Sequence, residues 1–142
     1  MGLCRTFSCP LLLTVTVAAL VSWGCSSSSD RSRVHGAVRY NGEPVDDGGI
    51  AFIPEEGNTT EVRATGIIQD GYYDLDNKHG PYPGKYRVEI YWNKKTGRTI
   101  TGKSGATKDE RRQALPAKYN ERTELKVEVK PGSNRLDFDL KP

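Results

Sequence analysis

The run from Lys85 to Trp92 constrains the fold more than any other stretch of the chain. Tyr86, Val88, Ile90 and Trp92 fall on one side of an extended backbone and Lys85, Arg87, Glu89 and Tyr91 on the other. That is the two-residue period of a strand with one face in a core and one in water. Pro83-Gly84 ahead of it combines a fixed φ with a residue free to take positive φ, so the chain is expected to reverse there and meet the strand Tyr72 to Leu75. Shorter runs repeat the pattern. Val34 to Tyr40 alternates and stops at Asn41-Gly42, a tight-hairpin signal. Ile50 to Ile53 closes at Pro54, and Val62 to Gln69 carries Gly66 as a possible irregularity before Asp70-Gly71. Leu125, Val127 and Val129 face in, Pro131-Gly132 turns, and Leu136, Phe138 and Leu140 face in again. About seven short strands without a convincing long helix predict an all-β sandwich or barrel.

With 35% hydrophobic and 27% charged residues, 142 residues make one small globular domain and its ends. The N-terminal end has the order of a secretory signal peptide: Arg5, the apolar run Leu11 to Trp23, then small residues. That run is shorter than the roughly 20 apolar residues that span a bilayer. Cys25, after Gly24 and before a serine tract, resembles the acylated cysteine of the bacterial lipobox, although Ser22 and Trp23 stand where that motif has leucine and a small residue. Cys4 and Cys9 leave with the signal, so Cys25 would have no disulfide partner in an oxidising compartment. Lipidation of Cys25 is the expectation. Ser22 and Gly24 also satisfy ordinary signal cleavage, which keeps a soluble secreted form open. The expected layout is a signal peptide over 1–24, a serine-rich tether over 25–33 that lacks apolar residues, and a β domain over 34–142.

Within 34–142 the motif Val-His-Gly-Ala-Val-Arg-Tyr-Asn-Gly-Glu-Pro-Val at 34 to 45, with Gly49-Ile50-Ala51-Phe52-Ile53-Pro54, resembles the opening of carboxypeptidase regulatory-like domains. Asp70-Gly71-x-Tyr73 and Pro83-Gly84-x-Tyr86-x-Val88 resemble that family's second signature. The closing Leu115-Pro116-Ala117-Lys118-Tyr119-Asn120 is similar to small planctomycete-type lipoproteins with one such domain. The resemblance implies a transthyretin-like, seven-stranded Greek-key sandwich. It carries over no catalytic residue, since the domain is an accessory module in that family.

Asn93 to Arg122 departs from the usual short module. It holds nine basic residues against three acidic ones, a net of +6. The chain after Gly24 carries 20 basic and 18 acidic residues, +2 in all, so everything outside the segment carries −4. Thr107-Lys108-Asp109-Glu110 fits a capping box, which predicts a short helix from Lys108 to about Ala114 before Pro116. Thr96 to Thr107 is rich in glycine and threonine and is expected to be mobile, giving a basic arm that leaves the domain.

Chemistry of other kinds finds little support. Asp70, Asp74, Asp76 and Asn77 cluster near a turn but lack the EF-hand order. His35 and His79 lie far apart without a mature Cys-His set for zinc. There is no Gly-x-Ser-x-Gly elbow, and Asp46-Asp47 and Glu55-Glu56 sit in turns where adjacent carboxylates point apart. The first strand has no lysine for a self-formed isopeptide bond. The expectation is therefore a non-enzymatic, monomeric envelope lipoprotein without catalytic residues, metal or cofactor, held on a membrane by its lipid and serving a structural or adhesion role. The alternative is a carbohydrate- or anion-binding accessory domain, secreted or anchored. In either case Lys94, Lys95, Arg98 and Lys103, with Tyr91 on the solvent face, are the candidate contacts for anionic envelope polymers or lipid headgroups. Export disfavours nucleic acid as the partner of the basic segment.

Overall fold

The computed structural model describes residues 30–58 and 60–142, so the expected signal peptide, Cys25 and most of the expected serine tether lie outside the described residues. The described chain is all-β. Ten strands follow in order: β1 Arg33–Tyr40, β2 Glu43–Pro44, β3 Asp47–Pro54, β4 Ala64–Gln69, β5 Tyr72–Leu75, β6 Gly84–Thr101, β7 Thr107–Gln113, β8 Lys126–Val129, β9 Ser133–Arg135 and β10 Phe138–Leu140. A single 3-10 turn, Ala117–Tyr119, is the one helical element among the described residues. No helix there is long and apolar enough to cross a membrane. The strands form one continuous hydrogen-bonded path, β10-β1-β5-β4-β3-β6-β7, with β2 and β9 added to β1 and β8 to β6. Pairing is antiparallel except where β9 and β10 run parallel to β1.

The alternation seen in the sequence is what the core uses. Tyr86, Val88, Ile90 and Trp92 of β6 are buried against Val34 and Val38 of β1, Ile50 and Phe52 of β3, Tyr73 and Leu75 of β5, and Phe138 and Leu140 of β10. Phe52 meets Tyr73 and Tyr86 at centroid distances of 6.2 and 6.3 Å, and Tyr73 meets Phe138 at 6.2 Å. Side chains from β1, β5 and β10 thus close over those from β3 and β6. Each buried aliphatic or aromatic side chain contributes roughly 1.5–3 kcal/mol. Leu125, Val127 and Leu136 pack half-buried at the margin. Asn41-Gly42 and Asp70-Gly71 take positive φ at both positions, at 50° and 82° and at 50° and 80°. Two-residue hairpins need that backbone, and these join β1 to β2 and β4 to β5.

Several elements depart from expectation. Ten strands replace seven, because β2, β7 and β9 come from runs without clean alternation. Pairing of β4 begins at Ala64, leaving Val62 exposed. Strand pairing begins at Arg33, and Ser32 ahead of it is fully buried, its N–H donating to the Pro81 carbonyl at 2.7 Å. Pro83-Gly84 does not join two neighbours: β5 pairs with β1 and β4, β6 with β3, β7 and β8, and residues 76–83 cross between them. Asp76 shapes that crossing by accepting the N–H groups of Lys78 and His79, both at 3.0 Å. The helix expected from Lys108 does not form. Thr107–Gln113 is strand β7, paired with β6, because an isolated seven-residue helix is marginal in water whereas a ladder on an existing strand satisfies its backbone at once.

Candidate anion-contact hairpin

Strand β6 is 18 residues long, and only its first half lies over the core. Beyond Trp92 it continues as an exposed strand, turns at Gly102–Ala106, where Gly102 N–H donates to the Ala106 carbonyl at 2.8 Å, and returns as β7. Asn93 pairs with Gln113, Lys94 with Arg112, Lys95 with Arg111 and, past a bulge, Thr99 with Asp109, Ile100 with Lys108 and Thr101 with Thr107. The rest of the basic segment folds back on the core. Leu115 and Asn120 are buried, Asn120 Nδ2 donates to the Pro116 carbonyl at 3.2 Å, and Thr123 Oγ1 donates to the Val88 carbonyl at 2.5 Å. The expected mobile arm is thus an ordered hairpin followed by a packed return.

Trp92 anchors the root. Its ring is almost fully buried, 6.4 Å from Tyr40 in an edge contact, and its indole N–H donates to Asp46 Oδ1 at 2.7 Å. That hydrogen bond holds the Asp46 carboxyl below the usual carboxylate range. Lys94 Nζ sits 4.3 Å from the Trp92 ring centroid and 2.6 Å from Glu43 Oε1. On the other side of the strand Arg111 pairs with Asp47, and Lys95 with Asp109 at 2.7 Å. The ammonium of Lys95 lowers the Asp109 pKa. Exposed pairs of this kind contribute at most about 1 kcal/mol each, so the ladder and the buried Trp92 fix the direction of the hairpin and the ion pairs trim its root.

These pairings sort the cations. Lys94, Lys95 and Arg111 face carboxylates, whereas Arg98, Lys103, Lys108 and Arg112 have no ion-pair partner among the described residues. Of the expected contacts, Lys94 and Lys95 therefore belong to the stem, while Arg98 and Lys103 lie further out with free charges. Tyr91 is half-buried at the foot of the outer face. Its hydroxyl donates to Glu89 Oε2 at 3.1 Å, and burial and that carboxylate push its pKa up. Lys108 and Arg112 on β7 were hidden as contacts by the capping-box pattern; the alternating threonines Thr99, Thr101 and Thr107 around a glycine-flanked centre were the available signal for a hairpin.

The remaining candidate groups are engaged elsewhere. Asp74 accepts a two-pronged pair from Arg33 at 2.9 and 2.5 Å, and Asp76 lies 2.8 Å from His79 Nδ1. No group of three or more metal-ligating side chains converges among the described residues. An open cleft of about 740 Å³ lies where β4 and β5 splay apart, lined in part by Thr65, Ile67, Tyr72 and Asp74. Tyr72, 62% exposed, is the solvent-facing aromatic of the sheet in place of Tyr91.

No family model matches the chain, and neither a curated protein nor a solved structure matches it. What the hairpin does has to follow from its own residues.

Proposed function

We propose that this chain is an exported, non-enzymatic and monomeric β module, anchored to a membrane of the cell envelope through a lipidated Cys25, whose basic hairpin contacts anionic envelope polymers or lipid headgroups. In this reading the ten strands make up a Greek-key sandwich of the carboxypeptidase regulatory-like type, and the closing of β1, β5 and β10 over β3 and β6 supports it. The observation that carries the contact role is the sorting of charge along the hairpin. Carboxylates from Glu43, Asp47 and Asp109 balance the stem cations, while Arg98, Lys103, Lys108 and Arg112 are left to solvent on the paired strands and their turn. Four such charges raise the local concentration of a polyanion and the rate at which it is captured. A second reading, binding of a neutral carbohydrate in the β4–β5 cleft, is favoured by the exposed Tyr72 and Ile67 side by side there.

The test is retention of the full chain on anionic and on neutral polymers and vesicles at 0.1 M and 1 M salt, between which the Debye length falls from about 10 to about 3 Å. Retention on the anionic supports alone, lost at 1 M, is the expected result; salt-insensitive retention on neutral glycan, abolished by Tyr72→Ala, would transfer the role to the cleft. Mass spectrometry of the mature N-terminus decides the anchor, since two acyl chains are needed for stable attachment.

A further inference from the structure

We infer that the ligand of the hairpin is a linear polyanion with charges carried on phosphate or carboxylate groups, gripped along one face of the hairpin at the pole of the domain turned away from the N-terminal tether. The inference rests on the contact role proposed above and specifies its face, its direction and its partner.

Register defines the face. Paired residues of β6 and β7 share a side, so Lys94 and Ile100 lie with Lys108, Glu110 and Arg112, while Lys95 and Thr99 lie with Asp109 and Arg111; Arg98 sits in the bulge between Lys95 and Thr99. The second side neutralises itself through Lys95–Asp109 and Arg111–Asp47. On the first side Lys94 pairs with Glu43, and Glu110 accepts the Thr96 hydroxyl at 2.6 Å while keeping its charge; Lys108 and Arg112, with Arg98 in the bulge, have no ion-pair partner among the described residues. Lys108 and Arg112, four residues apart on β7, are separated by about 13 Å at the rise of an extended chain. The charges thus form a row along the strand, which suits a ligand that is itself a row of charges.

Direction follows from the way β1 and β6 run. Both begin at the same pole: Arg31, just ahead of β1, stacks 4.8 Å from the centroid of Tyr82, just ahead of β6, and donates to the Gly80 carbonyl at 2.9 Å. Both reach the opposite pole together, where Tyr40 touches Trp92. β1 spans about 25 Å, and past that pole β6 continues for about 20 Å more, the length of the β7 run from Gln113 to Thr107 with which it pairs. The chain enters at one end of the molecule and the hairpin leaves from the other. A surface that holds the N-terminus therefore lies behind the domain, and the hairpin reaches outward. Its cationic face also lacks what insertion into a bilayer requires. Ile100, 42% exposed, is the single large apolar side chain on it, whereas interfacial elements bury a broad apolar face.

The experiment compares three variants of the full chain for binding to a labelled poly(glycerol phosphate) chain, to polygalacturonate and to vesicles containing phosphatidylglycerol, each at low salt. Arg98→Ser/Lys108→Ser/Arg112→Ser is expected to lose at least tenfold in affinity for whichever polymer the wild type binds. Lys95→Ser/Asp109→Ser, which changes the other face at constant net charge, and Ile100→Ser are expected to stay within twofold. Unchanged circular dichroism and melting temperature of each variant show that the sheet is intact. Equal losses from both faces would overturn the face assignment, and tighter binding to vesicles than to either polymer, abolished by Ile100→Ser, would overturn the polymer in favour of a bilayer. Absence of wild-type binding to every anionic probe would remove the contact role itself, an outcome distinct from the other two.

Discussion

Trp92 offers the sharpest test of how the hairpin is rooted. Its indole N–H is out of contact with water in a residue 1% exposed and has Asp46 Oδ1 as its acceptor at 2.7 Å. Asp46→Ala removes that acceptor. A buried donor left without a partner costs roughly 1–3 kcal/mol; Asp46 itself is exposed, so water can enter the vacated space, and the loss should fall in the lower half, about 1–2 kcal/mol. For a domain of this size that is a drop of about 4 to 8 °C in melting temperature. Asp46→Asn keeps an acceptor without the charge and should recover at least half of it. The pH dependence has a definite sign. The folded pKa of Asp46 lies below its unfolded value, so its contribution is fully present above the ordinary carboxylate pKa of about 3.9 and is lost as pH falls through the folded value. The gap between wild type and Asp46→Ala should therefore be widest near neutrality and narrow below about pH 4. Trp92 is the single tryptophan of residues 25–142, so in the processed chain its emission during urea unfolding reports the transition directly. A shift under about 1 °C at pH 7, or a gap that grows in acid, would refute this account of the root.

Two further substitutions address the core and the chain closure. Val88→Asp puts an unpaired carboxylate at a fully buried position and costs several kcal/mol against a total of about 5–15, so the domain should unfold by circular dichroism, whereas Glu89→Ala beside it should shift the midpoint by less than about 0.5 kcal/mol; equal effects would mean the β6 register is wrong. Gly36→Ala would place a Cβ 2.0 Å from the Leu136 carbonyl oxygen, where the chain between β9 and β10 presses on β1, and is expected to cost about 3 kcal/mol. A silent Gly36→Ala in thermal melts would show that β9 and β10 are not clamped to β1 as described.

How far the fold could be deduced from the sequence depends on where each residue's neighbours lie. Tyr86 to Trp92 and Val34 to Val38 were legible because burial on one face imposes a two-residue period on the residues themselves. Asn41-Gly42 and Asp70-Gly71 were legible because positive φ selects those residue types locally. The parallel pairing of β1 with β9 and β10 was not, since it depends on Gly36 meeting Leu136 a hundred positions later. Nor was the crossing at 76–83, whose turn is set by hydrogen bonds to one aspartate that also suits a simple reversal.

The hairpin was misjudged for a deeper reason, and that reason bears on its role. Past Trp92 both faces of β6 are exposed, so no burial writes an alternating pattern into the sequence, and the local capping-box match at Thr107 to Glu110 had nothing to compete with. What holds the two strands is backbone hydrogen bonding continued from the core, to which side chains add only cross-strand contacts of about 0.2–1 kcal/mol each. Outer positions such as Arg98, Lys103, Lys108 and Arg112 therefore carry little of the fold's stability. Replacing one moves stability by about 0.5 kcal/mol or less, as surface changes do. A surface whose residues are nearly free of folding constraints yet holds more cations than Glu110 can balance has a composition that stability does not account for. The polyanion proposed as the hairpin's partner would supply there the opposite charges that Glu43, Asp47 and Asp109 supply at the stem.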